Sequence, residues 1–160
     1  MLVAVGFGGY KLVHKNHTPN QTAGNNSSQA KSTPVTSQEQ VQTYLMQKNY
    51  AAAAAVYNNQ LKTAKTADQK AQANMGLCGV YTAQQDYQTA YQYALKAYGN
   101  EATMQTAQTA AAAAKNAGNN QDAAKYYQAA IDLLQKANLS PDVHDYTLRV
   151  LQAHLKEVSQ

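Results

Sequence analysis

From Ser37 onward the chain is built of helix-forming runs broken at short intervals by polar turn residues, with no strand-like stretch. Ser37 with Gln40 three residues on has the form of a capping box and predicts a first helix near 38–48. The Ala51–Ala55 block, the strongest helix former available, predicts a second from Tyr50 to about Lys65. Asp68 can cap a third, to about Gln85, and Asp86 a fourth, to Tyr98, with Gly99 and Asn100 as its stop. A fifth is expected from Glu101 to Ala117 before Gly118, and a sixth from about Gln121 to Ala137. Ser140 followed by Pro141 predicts the start of a seventh. Seven helices with short connections imply an all-α fold of antiparallel neighbours.

Superposed on this pattern is a phrase that occurs three times. It reads NYAAAAAVYNNQL from Asn49, DYQTAYQYALKAY from Asp86 and NNQDAAKYYQAAI from Asn119. Tyr50, Tyr87 and Asn120 coincide, as do Ala53, Ala90 and Ala123, with spacings of 37 and then 33 residues. A period in that range marks a helical repeat array, in which each unit buries its apolar face only against its neighbours. Such arrays bind other molecules more often than they transform them.

The first 37 residues differ in kind. Residues 2–13, LVAVGFGGYKLV, are apolar except for Lys11. As a helix they would span about 18 Å, short of the roughly 30 Å hydrocarbon core, and no basic segment or clean cleavage site accompanies them. Residues 1–13 are expected to be a truncated membrane anchor, a signal remnant or a mildly apolar terminus. Residues 14–37 are rich in Asn, Ser, Thr, Gln and Pro and are expected to form a disordered polar linker, because they have too little apolar surface to offset the entropy of ordering. His14 and His17 in this segment lack the further ligands a structural metal site needs.

Charge narrows the choice of partner. Charged residues make up only 14% of the chain, and the formal net charge is +4. Lys11, Lys15 and Lys31 supply +3 of that before residue 38, leaving ten basic and nine acidic side chains in residues 38–160. Nucleic-acid binding needs a concentrated basic face, so a nucleic-acid partner is not expected. Cys78 is the sole cysteine, which excludes an intramolecular disulfide and any multi-thiolate metal site. Trp is absent, Phe occurs once and Tyr twelve times, so aromatic contacts in the repeats rest on tyrosine. Buried tyrosines need a partner for the hydroxyl and are expected at helix crossings and groove edges.

The repeat resembles the tetratricopeptide repeat, a helix–turn–helix unit. The middle copy carries Leu77, Cys78 in the family's small slot, Tyr81, Asp86, Tyr87, Ala90 and Ala97. The third has Gly118, Asn119, Ala123, Tyr127, Ala130 and Ile131, with Ala110, Ala111 and Ala114 on a degenerate first helix. The first keeps Tyr44, Tyr50, Ala53 and Tyr57 but has Gln60 at the last alanine, and the proline that often closes a repeat is missing from all three. The resemblance covers about residues 37–137 and implies a solenoid of about three and a half repeats over 38–160, closed by a capping helix from Pro141. It also places Cys78 in the core rather than in a nucleophile's position. His144 and His154 lie about 80° apart and nearly three turns apart on that last helix, and cannot share a metal. Asp142 and Asp145 suit the helix's positive end, and Arg149 is expected at its surface.

By the family register, a concave face lined by the first helix of each repeat would carry Gln38, Gln42 and Leu45, then Gln72, Met75, Gly79 and Thr82, then Gln105, Gln108, Ala112 and Lys115. One subclass grips a C-terminal carboxylate with a charged clamp; the corresponding positions here are Gln38, Gln42, Gly76, Gln105 and Thr109, so the clamp is absent. No phosphate loop, nucleophile elbow or His-Glu metal motif occurs. The expected function is a non-enzymatic scaffold without cofactors, binding a protein or peptide segment in a polar, nearly uncharged groove. Residues 2–13 would tether it at a bacterial cell envelope, with the domain outside the cytoplasm. The alternatives are a cytoplasmic adaptor, or the recognition module of a larger enzyme or secretion assembly.

Overall fold

The structure, a computed structural model, describes residues 36–160. Seven helices follow one another: α1 Ser37–Met46, α2 Tyr50–Thr63, α3 Ala67–Ala83, α4 Tyr87–Asn100, α5 Met104–Asn116, α6 Asn120–Leu134 and α7 Pro141–Val158. Among the described residues there is no strand, and no helix is long and apolar enough to cross a membrane. The anchor and most of the linker, expected in residues 1–37, lie outside the described residues.

The repeat is written into the turns. Lys48, Gln85 and Gly118 all adopt the left-handed conformation, at φ 55°, 66° and 78°. Around each, two backbone bonds close the preceding helix in a Schellman arrangement: Lys48, Gln85 and Gly118 donate to Leu45, Thr82 and Lys115, each at 3.0 Å. Asn49, Asp86 and Asn119 then donate to Tyr44, Tyr81 and Ala114 at 2.8, 2.9 and 2.9 Å. The same three residues cap the next helix, their side chains accepting from the amides of Ala52, Thr89 and Asp122. One residue thus ends one helix and starts another, and this folds α1 onto α2, α3 onto α4 and α5 onto α6.

Three of the predicted starts are corrected. The first capping box is Thr36 with Glu39, one residue before the expected Ser37 and Gln40. Thr66, not Asp68, caps α3 through a box with Gln69, and α5 starts at Met104 rather than Glu101, capped by Thr103 through a box with Thr106. In each case a threonine stands one residue before the helix and reaches the third amide, a geometry that composition alone does not single out. Helix α4 runs through Gly99 to Asn100, and α6 ends at Leu134, short of Ala137. Pro141 occupies the first turn of α7 as expected, but the Ser140 side chain makes no capping bond.

Two clusters of buried side chains hold the array. One joins Val41 of α1 and Ala53 and Ala54 of α2 to Leu77 and Val80 of α3. The larger one runs from Cys78 through α4, α5 and α6 to Leu151 and Val158 of α7, and Tyr81 and Tyr93 pack against both. Most buried apolar residues are alanines, among them Ala90, Ala110 and Ala123, so helix backbones approach closely. Among the described residues, Tyr91 and Tyr127 are the only buried tyrosines. The Tyr91 hydroxyl donates to Asp122 at 2.7 Å, bridging α4 to α6, which meets the polar need of a buried phenol.

Candidate partner-binding face

Helix α3 touches α5 as well as its sequence neighbours, so the first helices of the second and third repeats lie against each other. The Thr109 hydroxyl of α5 lies 3.7 Å from the Met75 sulfur of α3 and bonds the Gln105 carbonyl at 2.9 Å. Gln72, Met75, Gly79 and Thr82 recur at three- and four-residue spacing and share one face of α3. Gln105, Gln108, Ala112 and Lys115 do the same on α5, and none of these eight residues is buried. On α1, Gln38 and Gln42 are exposed, while Leu45 packs in part against the cluster that contains Leu77 and Val80.

Several of these side chains are already engaged. Gln72 donates from its amide nitrogen to both carboxylate oxygens of Asp68, at 2.8 and 3.0 Å, which leaves its carbonyl oxygen outward as an acceptor. Lys115 pairs with Glu157 of α7 at 2.6 Å. That lysine, with a further contribution from His154, holds the Glu157 carboxyl below its usual range. The two residues neutralise each other, so the stripe remains amide-lined. Of the clamp positions, Gly76 lies against the ring of Tyr57 on α2.

The Lys115–Glu157 pair reveals a contribution absent from the sequence reading. Val143, Tyr146 and Val150 lie on the Glu157 side of α7 at helical spacing, with Val143 50% and Tyr146 65% exposed. Leu151 and Val158, on an adjoining face of α7, are its buried residues. The spacing was present in the sequence, but which of two apolar faces meets α6 is decided by docking.

Cys78 is buried, and burial pushes its thiol up to about 11, well into the range where it stays protonated at neutral pH. His154 stacks on Tyr127 with ring centroids 5.3 Å apart, while His144 lies 3.5 Å from the Asp145 carboxylate. Among the described residues no three His, Cys, Asp or Glu side chains converge to hold a metal.

The architecture is an all-α, tetratricopeptide-like helical solenoid. No family model matches the chain. No curated protein matches it. Among solved structures it is similar to PcrH, in the crystal structure of PcrH in complex with the chaperone binding region of PopD. The TM-score is 0.58 at 14% identity, with 74% of this chain and 85% of that chain covered.

Proposed function

We propose that this chain is a non-enzymatic scaffold that binds an extended segment of a partner protein along the stripe formed by α1, α3 and α5. The observation that carries this reading is the contact between Met75 and Thr109, which sets two amide-bearing helix faces next to each other. Exposed glutamines at regular spacing suit a polypeptide backbone, because each amide both donates and accepts. PcrH, of the same fold, was solved with a region of another protein bound. The near absence of net charge along the stripe implies weak electrostatic steering and a shallow salt dependence. Residues 2–13 are assigned the role of tether and 14–37 that of spacer; the reading frame upstream of Met1 tests this, since a further apolar stretch belongs to an anchor and a long frame with catalytic motifs to a larger enzyme.

The test is affinity capture with the full chain, followed by binding of the captured segment as a synthetic peptide. Q72E/Q105E should weaken that peptide at least tenfold while leaving the thermal midpoint within about 2 °C, as surface substitutions do. Equal affinity for wild type and Q72E/Q105E would rule out the stripe as the binding face.

A further inference from the structure

The junction between the first and second repeats lacks two side chains that fill the next junction. At the second junction, Gln88 donates to the Ala117 carbonyl at 3.0 Å, and Tyr91 is buried with its hydroxyl on Asp122. The shared turns equate Ala51 with Gln88, Ala54 with Tyr91 and Gln84 with Ala117; the last two are the C-caps of α3 and α5. Where the second junction has a carboxamide and a phenol, the first has two methyl groups. Beside those methyl groups is an open cavity of about 390 Å³ whose lining includes Tyr50, Tyr81, Lys48 and Gln84. Tyr81 takes the place of the small Ala114 but does not fill the space. Its ring is turned onto Tyr93, stacked at 5.3 Å with 6° between planes.

We propose that this cavity is a binding site for an aromatic side chain of a partner polypeptide, a tyrosine with a carboxamide beside it, which completes the first junction as Tyr91 and Gln88 complete the second. The site is an open hollow rather than an enclosed pocket, which suits one side chain lying along a surface more than a buried small molecule. Tyr50 and Tyr81 line it and can offer offset or edge contacts to a third aromatic ring, and Lys48 is a further lining residue. The backbone carbonyl of Gln84 stands at the register position of the Ala117 carbonyl that accepts from Gln88, and Ala51 has no side-chain donor to offer it. The Asn49 side-chain oxygen is held in capping the Ala52 amide. None of the stripe residues Gln72, Met75, Gln105 or Gln108 lines this cavity, so it is a separate site.

The experiment is an amide-resolved NMR titration of the full chain with N-acetyl-L-tyrosinamide and, as control, N-acetyl-L-leucinamide. Saturable shifts confined to Lys48–Ala54, Tyr81 and Gln84 are expected with the tyrosine probe, with at least threefold weaker binding of the leucine probe. A51Q/A54Y, which installs the second junction's own side chains, should abolish binding, and A54L, a smaller filling change, should weaken it at least threefold. Q72E/Q105E should bind the tyrosine probe as wild type does, whatever its effect on a stripe ligand. Absence of saturable shifts, equal binding of the two probes, or full binding retained by folded A51Q/A54Y or A54L would overturn the proposal. A loss of probe binding in Q72E/Q105E would overturn it as well, by placing the probe on the stripe.

Discussion

The ring of Tyr57 on α2 lies directly against the backbone of Gly76 on α3, in the space a side-chain methyl at residue 76 would occupy. Three residues on, Gly79 faces open space within the same helix. The two glycines therefore answer differently to the same substitution. Gly79→Ala should stabilise by about 0.5–1 kcal/mol, the usual gain in a helix interior. Gly76→Ala has the same intrinsic gain but must displace an aromatic ring, at about 1–3 kcal/mol, so its net effect should be destabilising. Thermal and urea unfolding of the two variants, compared with wild type, check the sign of each. A stabilised Gly76→Ala would mean that Tyr57 does not seat on α3.

The three left-handed positions make a second test. Lys48 and Gln85 carry side chains at φ 55° and 66°, where Gly118 in the third turn has none. A left-handed conformation costs a non-glycine residue roughly 1–2 kcal/mol, partly offset by the greater freedom of glycine in the unfolded chain. Lys48→Gly and Gln85→Gly should each raise stability by about 0.5–1 kcal/mol, and Gly118→Ala should lower it by about 1 kcal/mol. Denaturant midpoints of the three variants check this, and opposite signs in the two classes are the expected signature. Gains at Lys48 and Gln85 would also show that the turn geometry is shared in solution.

How far the sequence led can be judged at these turns. Asn49, Asp86 and Asn119 were readable as a recurring element because cap and turn chemistry depend on few neighbours. The starts of α3 and α5 were not, since Asp68 and Glu101 stand close to Thr66 and Thr103 and only local geometry selects the residue that reaches the third amide. The face of α7 that bears Val143 and Tyr146, and the partner of Lys115, depend on how α7 docks on α6, which periodicity does not determine. The edge cavity was hidden for a related reason: Ala51 and Ala54 read as ideal helix formers, and their small size matters only against the side chains of the next repeat.

Alkaline pH should unfold the domain from within. Burial raises Cys78 to about 11 from an ordinary value of 9.0. Burial likewise raises Tyr57, Tyr81, Tyr91 and Tyr127 above 10.0, with the Asp122 carboxylate adding to the effect at Tyr91. A group raised in the folded state gives stability that is complete below its unfolded value and is lost as pH rises through the folded one. Stability should thus be level up to about pH 9 and fall above it, first through Cys78 and then through the tyrosines. Cys78→Ala should flatten the first part of that fall, measured as urea midpoints between pH 8 and 11. At pH 7.5 a thiol reagent should modify native Cys78 only as fast as the chain opens, and rapid modification would place the thiol at the surface instead.

The crossings of the helices make the sharpest demand on side-chain size. Ala90 on α4 and Ala123 on α6 occupy the same repeat position and are 1% and 0% exposed. Both belong to a core cluster rich in alanine, including Ala94, Ala107 and Ala110, which lets the helix backbones come close. Ala90→Leu or Ala123→Leu adds three carbons where no void exists, and either should cost about 1–3 kcal/mol through displaced helices. Their combination should be close to additive if the two crossings act independently, and short of additive if displacing α5 relieves both, since sites that share a neighbour couple. Single and double variants measured by thermal unfolding settle between these outcomes. Unchanged midpoints in both single variants would contradict the repeat register itself, because Ala90 and Ala123 are aligned only by the spacing of the turns at Asp86 and Asn119.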